Sequence, residues 1–480
     1  MILAELFPYS HVVFTILTIV YGLTILGTIG VVVSENRNPV KSLAWVTVLL
    51  LLPIIGFVIY AFFGRSLKSI HMISRKNNQQ LTGSEKFNPI DLNELKLSEE
   101  NMQQIYLIKS LVNAHYFPGN KIDIFTSGKE KFDALKRDLL NAKHYIHLQY
   151  YIFENDRLGN EICDLLIKKA QEGVKVRVIY DHVGSFNLRS TLFKRMRKNG
   201  VEALPFLKVS FPELANRINW RNHRKIVIID GEIGYIGGMN IADRYVDGSD
   251  GRMWRDTHLR IVGEAINGLN YSFAVDWNFT ARQLVTEPTK QFDVQPNDGD
   301  GIQLVTSGPT DRWSNLGFVF FKAISNARKC VYLQTPYFLP NDSLLKVLQV
   351  AALSGIDVRV MIPRYPDSKL LKYASYSYIK ECLEAGVKIY LYDAGMLHAK
   401  AVIVDDELAT TGSTNFDFRS FEHNFECNAV IYSTSFNKRM KDIFVKDMEE
   451  CTCVDLEEWK KRPLKQKIWE SIVRLMSPIM

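Results

Sequence analysis

Cysteine is scarce and scattered. The six positions, Cys163, Cys330, Cys382, Cys427, Cys451 and Cys453, have no regular spacing in a chain of 480 residues. That excludes a disulfide framework and points to a reducing compartment for the soluble part. Cys451 and Cys453 stand close together, but no second pair or nearby His completes a zinc-like set, so reduced thiols are expected and a metal is not. Charge of one sign is also in short supply. The formal net charge of +7 suits an anionic partner, phospholipid or nucleic acid, and cannot choose between them. No basic residue precedes the first long apolar run, which argues against a cleavable signal peptide. Hydrophobic residues, by contrast, make up 47% of the chain. This excludes disorder, and with the length it predicts two or three domains with large cores.

Two uncharged apolar runs lie near the N-terminus, Val12 to Val33 and Leu43 to Phe63. Each is long enough to cross a hydrocarbon core of about 30 Å. The short polar turn SENRNPVKS joins them, so residues 1–66 read as a transmembrane helical hairpin. Arg65, Lys68, Arg75 and Lys76 follow the second run, against Arg37 and Lys41 in the turn. The positive-inside tendency then places the main body on the cytoplasmic side of the cell membrane, with two spans. Residues 67–120 are polar and charged, with a partly apolar later stretch, and read as a linker.

The body contains an internal repeat. NHRKIVIIDGE (222–232) and LHAKAVIVDDE (397–407) each hold His, a skipped residue, Lys, four residues and Asp. The Asn of GGMN lies 17 residues after His223, and the Asn of GSTN lies 17 after His398. Upstream, YIHLQYYIF (145–153) pairs with VYLQTPYFL (331–339), and GVKVRVIYD with GIDVRVMIP. Val- and Ile-rich runs alternating with amphipathic stretches and glycine turns indicate βα units and a mostly parallel sheet. The fold class is α/β, in two similar halves, 121–300 and 301–460. Strand alternation puts His223 and Lys225 on one face, with Asp230 of opposite parity starting an Asp-Gly turn.

If pseudo-twofold packing joins the copies, one cleft holds His223, Lys225, Asn240, His398, Lys400 and Asn415. Ammonium and amide groups are donors suited to non-bridging phosphate oxygens. One imidazole can attack phosphorus while the other protonates the leaving oxygen. The two lysines would repel a cation, so neither metal nor other cofactor is expected. A nucleophilic His needs a partner on its other nitrogen. Asp256, in WRDTHLRI, lies 33 residues after His223, and Glu426, in NFECNAVI, lies 28 after His398. Each is assigned to the His of its own half. Asp230 and Asp405 are expected to support the Lys and the hairpin geometry without touching phosphate.

The paired motifs His223/Lys225/Asp230 and His398/Lys400/Asp405, each with its downstream Asn, resemble the phospholipase D superfamily. The resemblance makes both aspartates part of the active-site set, and implies two phospholipase D-like halves with pseudo-twofold packing. Ser413 adds a phosphate-binding hydroxyl in the second copy, where the first has Gly238. The segments NRNPVKSLAWVTVLLLLPIIGFVIYAFFGR, GGMNIADRY and WRDTHLRIVG, with the tail RLMSPIM, are similar to bacterial cardiolipin synthases. That similarity implies transfer of a phosphatidyl group between two phosphatidylglycerol molecules through a phosphatidyl-histidine, with His223 attacking and His398 as acid. It implies an anionic phospholipid membrane as partner and no nucleic acid; oligomeric state is not legible. The competing reading is a membrane-anchored phospholipase D that hydrolyses or exchanges headgroups. A nucleic-acid phosphodiesterase is disfavoured by the hairpin, and an inactive lipid-binding scaffold by the two intact motifs.

The tail, 461–480, carries Ile468, Ile472, Met476 and Ile479 at helical spacing, broadened by Trp469, Val473 and Leu475, with Lys465, Lys467 and Arg474 nearby. It reads as an amphipathic helix, suited equally to an anionic headgroup layer and to the protein body.

Overall fold

The computed structural model describes residues 10–34, 39–63, 70–84, 91–186, 191–208, 219–295 and 297–477. Arg37, Arg65, Lys68 and Ile479, used above for orientation and for the tail, lie outside them. The chain divides into two compact units, Met1–Leu67 with Val209–Asn219, and the remainder.

In the first unit, the apolar run Val12–Val33 forms one helix, Ser10–Ser34. Its threonines do not interrupt it, because the hydroxyls of Thr18, Thr24 and Thr28 donate to carbonyls four residues back at 2.7–2.8 Å. Residues 12–30 are long and apolar enough to cross a membrane. The second run differs from expectation. It is broken into helices Pro39–Leu51 and Pro53–Phe63, neither of which alone reaches the roughly 20 residues a span needs. Pro53 brings no N–H to the helical ladder. Gly56 lies so close to the Val48 carbonyl that a Cβ would sit 2.7 Å from its oxygen. Val32, Leu49 and Tyr60, one from each helix, form a small buried cluster.

The second unit is built on one large mixed sheet and a separate two-stranded one. Its first half supplies β1 (Phe117–Phe125), β2 (Tyr145–Tyr150), β3 (Lys175–Asp181), β4 (Glu202–Phe206), β5 (Arg221–Asn222), β6 (Ile226–Ile229), β7 (Ile233–Gly237), β8 (Met253–Arg255) and β9 (His258–Val262). The second half supplies β10 (Asp300–Ser307), β11 (Cys330–Gln334), β12 (Asp357–Pro363), β13 (Lys388–Tyr392), β14 (Gly395–Leu397), β15 (Ala401–Val404), β16 (Leu408–Gly412), β17 (Asn424–Tyr432) and β18 (Cys451–Cys453). From the centre outward the first half runs β1-β9-β7-β6-β2-β3-β4 and the second runs β10-β17-β16-β15-β11-β12-β13, capped by β18. The two orders match strand for strand about the antiparallel β1–β10 pair. This is the expected pseudo-twofold.

The sheet is mixed rather than mostly parallel. β2-β3-β4 and β11-β12-β13 are parallel, as helical crossovers require. The motif strands β6–β7 and β15–β16 are antiparallel hairpins. Asp230 (φ +53°) and Gly231 (φ +62°) take left-handed conformations, and Glu232 N–H closes the turn on the Ile229 carbonyl at 3.0 Å. A turn this short can only reverse the chain.

Both faces of the parallel strands are covered. Asp156 caps helix Arg157–Gln171, whose Leu158, Ile162 and Leu166 are buried in the first core. Asn341 caps helix Asp342–Leu353, whose Leu344 and Leu348 enter the second core. Each such leucine contributes about 1.5–3 kcal/mol by leaving water. The expected linker is folded too. Residues 99–112 form a helix that buries Ile105 and Ile108 in the second core, and β1 begins at Phe117 rather than at 121. Its signal was the apolar run from Ile105 to Ile108, followed by Leu111 and Val112.

Candidate active site

Each His-x-Lys segment leaves its own half and is held by the other. β5 runs parallel to the start of β17, and His223 N–H donates to the Phe425 carbonyl at 2.9 Å. In the second copy, β14 runs parallel to β8, and His398 N–H donates to the Arg255 carbonyl at 2.7 Å. Phe425 immediately precedes Glu426, and Arg255 immediately precedes Asp256. The pairing therefore delivers each acid to the imidazole of the opposite half.

His223 Nδ1 lies 2.9 and 3.1 Å from the Glu426 carboxylate oxygens. His398 Nδ1 lies 2.6 Å from Asp256 Oδ2. This corrects the sequence assignment of Asp256 to His223 and of Glu426 to His398. The residues are the expected ones, but their partners are exchanged, because strand adjacency across the halves decides the pairing. An ionised carboxylate can only accept, so each Nδ1 carries the proton and each Nε2 presents its lone pair.

Lys225 and Lys400 are buried beside the rings. Lys225 Nζ donates to the His223 carbonyl at 2.5 Å, and Lys400 Nζ donates to the His398 carbonyl. Lys400 Nζ also lies 2.7 Å from His398 Nδ1. Burial pushes the Lys225 ammonium well below its ordinary value and that of Lys400 down to about 8, against the pull of Asp256 and Glu426. Lys400 is felt electrostatically by His223, and Lys225 by both Asp256 and Glu426, so the two copies share one site.

Burial also lowers both imidazoles to about 4. For His398 the neighbouring Lys400 lowers it further, while Asp256 opposes. At each ring burial outweighs the carboxylate beside it. Burial thus favours the neutral form of both rings.

Ser413 does not face a ligand as expected. Its hydroxyl donates to Glu426 and accepts from Cys427 N–H at 3.0 Å. At the equivalent Gly238 a Cβ would sit 2.2 Å from Asp256 Oδ1, so the shorter acid occupies the space a serine would need. The Asn240 side-chain Nδ2 donates to the Tyr245 hydroxyl at 2.8 Å, and the Asn415 Nδ2 donates to Asp417 at 3.1 Å. Each amide nitrogen has a second hydrogen to offer an anion.

Several contributors escaped the sequence reading. Tyr151 stands edge-on to His223, with ring centroids 4.9 Å apart, and its repeat equivalent Tyr337 stands edge-on to His398 at 6.5 Å. Their matched places in YIHLQYYIF and VYLQTPYFL were the available signal. The Tyr245 hydroxyl lies 3.4 Å from His398 Nδ1. Behind His223, Arg224 donates to the Glu426 carbonyl at 3.0 Å and to Asp276 at 2.6 Å. Asp276 also accepts from Asn222 at 2.9 Å.

Asp230 and Asp405 stand apart from this cluster, at the far ends of β6 and β15. The Asp230 carboxylate accepts from the backbone N–H groups of Lys143, His144 and Tyr145 at 2.7–2.8 Å, fixing the start of β2. Asp405 accepts from Arg328, Lys329 and Cys330 at 2.7–2.9 Å in the same way. They support the hairpin, as expected, but neither bonds to its motif Lys. Asp230→Ala should cost about 2–3 kcal/mol of stability, through lost charge-assisted bonds and a left-handed alanine. Denaturant melting checks this. A fully stable Asp230→Ala protein without activity would give Asp230 a chemical role instead.

Residues 135–271 and 320–448 match the family described as cardiolipin synthase, PLD-like domain, and 22–65 match one described as phospholipase D-nuclease N-terminal. The major cardiolipin synthase ClsA of Bacillus subtilis is 40% identical over 97% of this chain and 99% of its own. Cardiolipin synthase 2 of Bacillus anthracis is 42% identical over 94% of this chain and 89% of its own. Among solved structures, phosphatidylserine synthase of Haemophilus influenzae aligns with a TM-score of 0.63 at 15% identity, over 79% of this chain and all of its own, and shares the fold. With both motif-bearing halves matched and the likeness extending over nearly the full length, the chain belongs to the cardiolipin synthase family of the phospholipase D superfamily.

Proposed function

We propose that the protein transfers a phosphatidyl group from one phosphatidylglycerol to the headgroup hydroxyl of another, giving cardiolipin and glycerol. The observation that carries this is the pair of imidazoles, each fixed through Nδ1 by a carboxylate of the opposite half, in one cleft with two buried lysines.

In this reading Lys225, Lys400, Asn240 and Asn415 hold the non-bridging oxygens of the phosphodiester. His223 Nε2 attacks phosphorus, and the bond from phosphorus to the leaving glycerol oxygen breaks. That oxygen takes a proton from His398 Nε2. The entering phosphodiester anion is what makes a protonated His398 accessible, since its charge offsets both burial and Lys400. The second phosphatidylglycerol then loses its hydroxyl proton to His398, and its oxygen displaces His223 from phosphorus. Asp256 and Glu426 stabilise the imidazolium forms that arise and hold the tautomers.

The helix over residues 12–30 anchors the chain in the cell membrane. The second apolar run returns through its break at Pro53, so that the body shares the cytoplasmic face with the N-terminus, the side Arg75 and Lys76 favour. Purified protein given labelled phosphatidylglycerol in vesicles should release cardiolipin and glycerol in equal amounts, read by thin-layer chromatography. Phosphatidic acid as the sole lipid product would establish hydrolysis, and the phospholipase D reading, in its place.

A further inference from the structure

The helix Leu464–Arg474 packs on helix Lys369–Glu384 by one narrow face. Val473 is buried there, and Arg474 pairs with Glu381 at 2.6 Å and lies 4.1 Å over the Tyr378 ring. Glu470, the helix's only acid, is buried and takes Arg462 at 2.7 Å. These contacts fix the roll of the helix.

The opposite face is left outward, and it is apolar. Leu464, Ile468, Trp469 and Ile472, continued by Leu475 and Met476, are between 41 and 82% exposed. Among the described residues of the sequence stripe, Val473 alone turns inward. Helical spacing sets the Lys465 ammonium within this outward face, and no carboxylate of the described residues lies within ion-pair reach of it. Lys467, whose ammonium donates to the Lys460 carbonyl, borders the face. A contiguous apolar surface of this size on a body with ample core calls for a partner.

We propose that this face is a second membrane contact, which lays the C-terminal helix in the headgroup layer of an anionic phospholipid bilayer. The inference rests on the reading of the protein as an enzyme of membrane phospholipid. A self-association face is less well matched, because an acid-free surface carrying Lys465 offers its own copy only like charge. Phospholipid phosphates supply the counter-charge, and the long Lys465 stem lets its ammonium reach them from an apolar face. Trp469 has the amphipathic ring that favours the interface. The basic residues and the apolar stripe together provide the second of the two signals stable surface binding requires, beside the N-terminal anchor.

The test uses the full chain in vesicles of mixed phosphatidylglycerol and phosphatidylcholine. A polarity-sensitive fluorophore is attached at Ile472→Cys in a Cys451→Ser, Cys453→Ser background. Its emission should shift to the blue and be quenched by brominated acyl chains, and both effects should weaken in phosphatidylcholine alone. The triple variant Ile468→Ser, Ile472→Ser, Leu475→Ser should raise the apparent KM for vesicle lipid about tenfold. Its kcat, and its turnover of monomerically dispersed short-chain lipid, should stay within twofold. A water-exposed fluorophore, quenching that requires a second labelled copy, or an equal loss on both substrate forms would overturn the proposal. The fluorescence needs no turnover, so failure of the proposed reaction leaves it readable.

Discussion

Alanine at His223 alone, or at His398 alone, should lower turnover by about four orders of magnitude, and alanine at both should lower it little further. The expectation follows from how the site is assembled. Neither half owns a complete His–carboxylate pair: His223 depends on Glu426 and His398 on Asp256. Each ring also enters on a strand hydrogen-bonded to the opposite half. Losing the nucleophile prevents the covalent intermediate. Losing the other ring leaves the glycerol oxygen without a proton donor and the second substrate without a base. Either loss stops the same cycle, so the effects cannot add. Single-turnover rates with labelled phosphatidylglycerol measure all three variants. More than about 1% of wild-type rate in either single variant would show that each half works alone.

The site was legible in the sequence at the level of residue types and less so at the level of partners. His223, Lys225, His398 and Lys400 were visible because duplication turned a weak motif into a matched pair. Asp256 and Glu426 were visible as acids beginning strands at similar distances. Their pairing was not, since distance along the chain ranks Asp256 with His223, whereas β5–β17 and β8–β14 bring the halves together the other way. Ser413 was misread for a related reason: its hydroxyl lies beside the carboxylate of the residue paired with His223. The folded segment 99–112 was read together with the polar stretch before it, although Met102, Ile105, Ile108, Leu111 and Val112 all pack on the second core. The first motif hairpin was plain from its Asp-Gly, yet the parallel runs beside the hairpins suggested a more uniform sheet than the one formed.

Label from phosphatidylglycerol should be found on the peptide containing His223 when the reaction is quenched in alkali, which preserves phosphohistidine. The attack requires a neutral ring with a free Nε2, and the His223 ring has both, since burial holds it near 4 and Glu426 receives its Nδ1 proton. Glu426 is in turn fixed by the Ser413 hydroxyl and by Asn424 at 3.2 Å. This clamps the nucleophilic tautomer. His398 shares its Nδ1 among more groups: Asp256 lies 2.6 Å, Lys400 2.7 Å and the Tyr245 hydroxyl 3.4 Å from it. That ring is better placed to gain and lose a proton as substrate charge enters and leaves. The crossed pairing adds a sharper consequence. Glu426→Gln, which keeps the shape and removes the charge, should cut the rate of labelling at His223 by about 10³–10⁴, as loss of the orienting carboxylate does in other His-dependent sites. If Asp256 oriented His223, Glu426→Gln would leave that labelling rate intact and Asp256→Asn would remove it. Label on the peptide containing His398, with none on that containing His223, would exchange the two roles while leaving the two-step transfer standing.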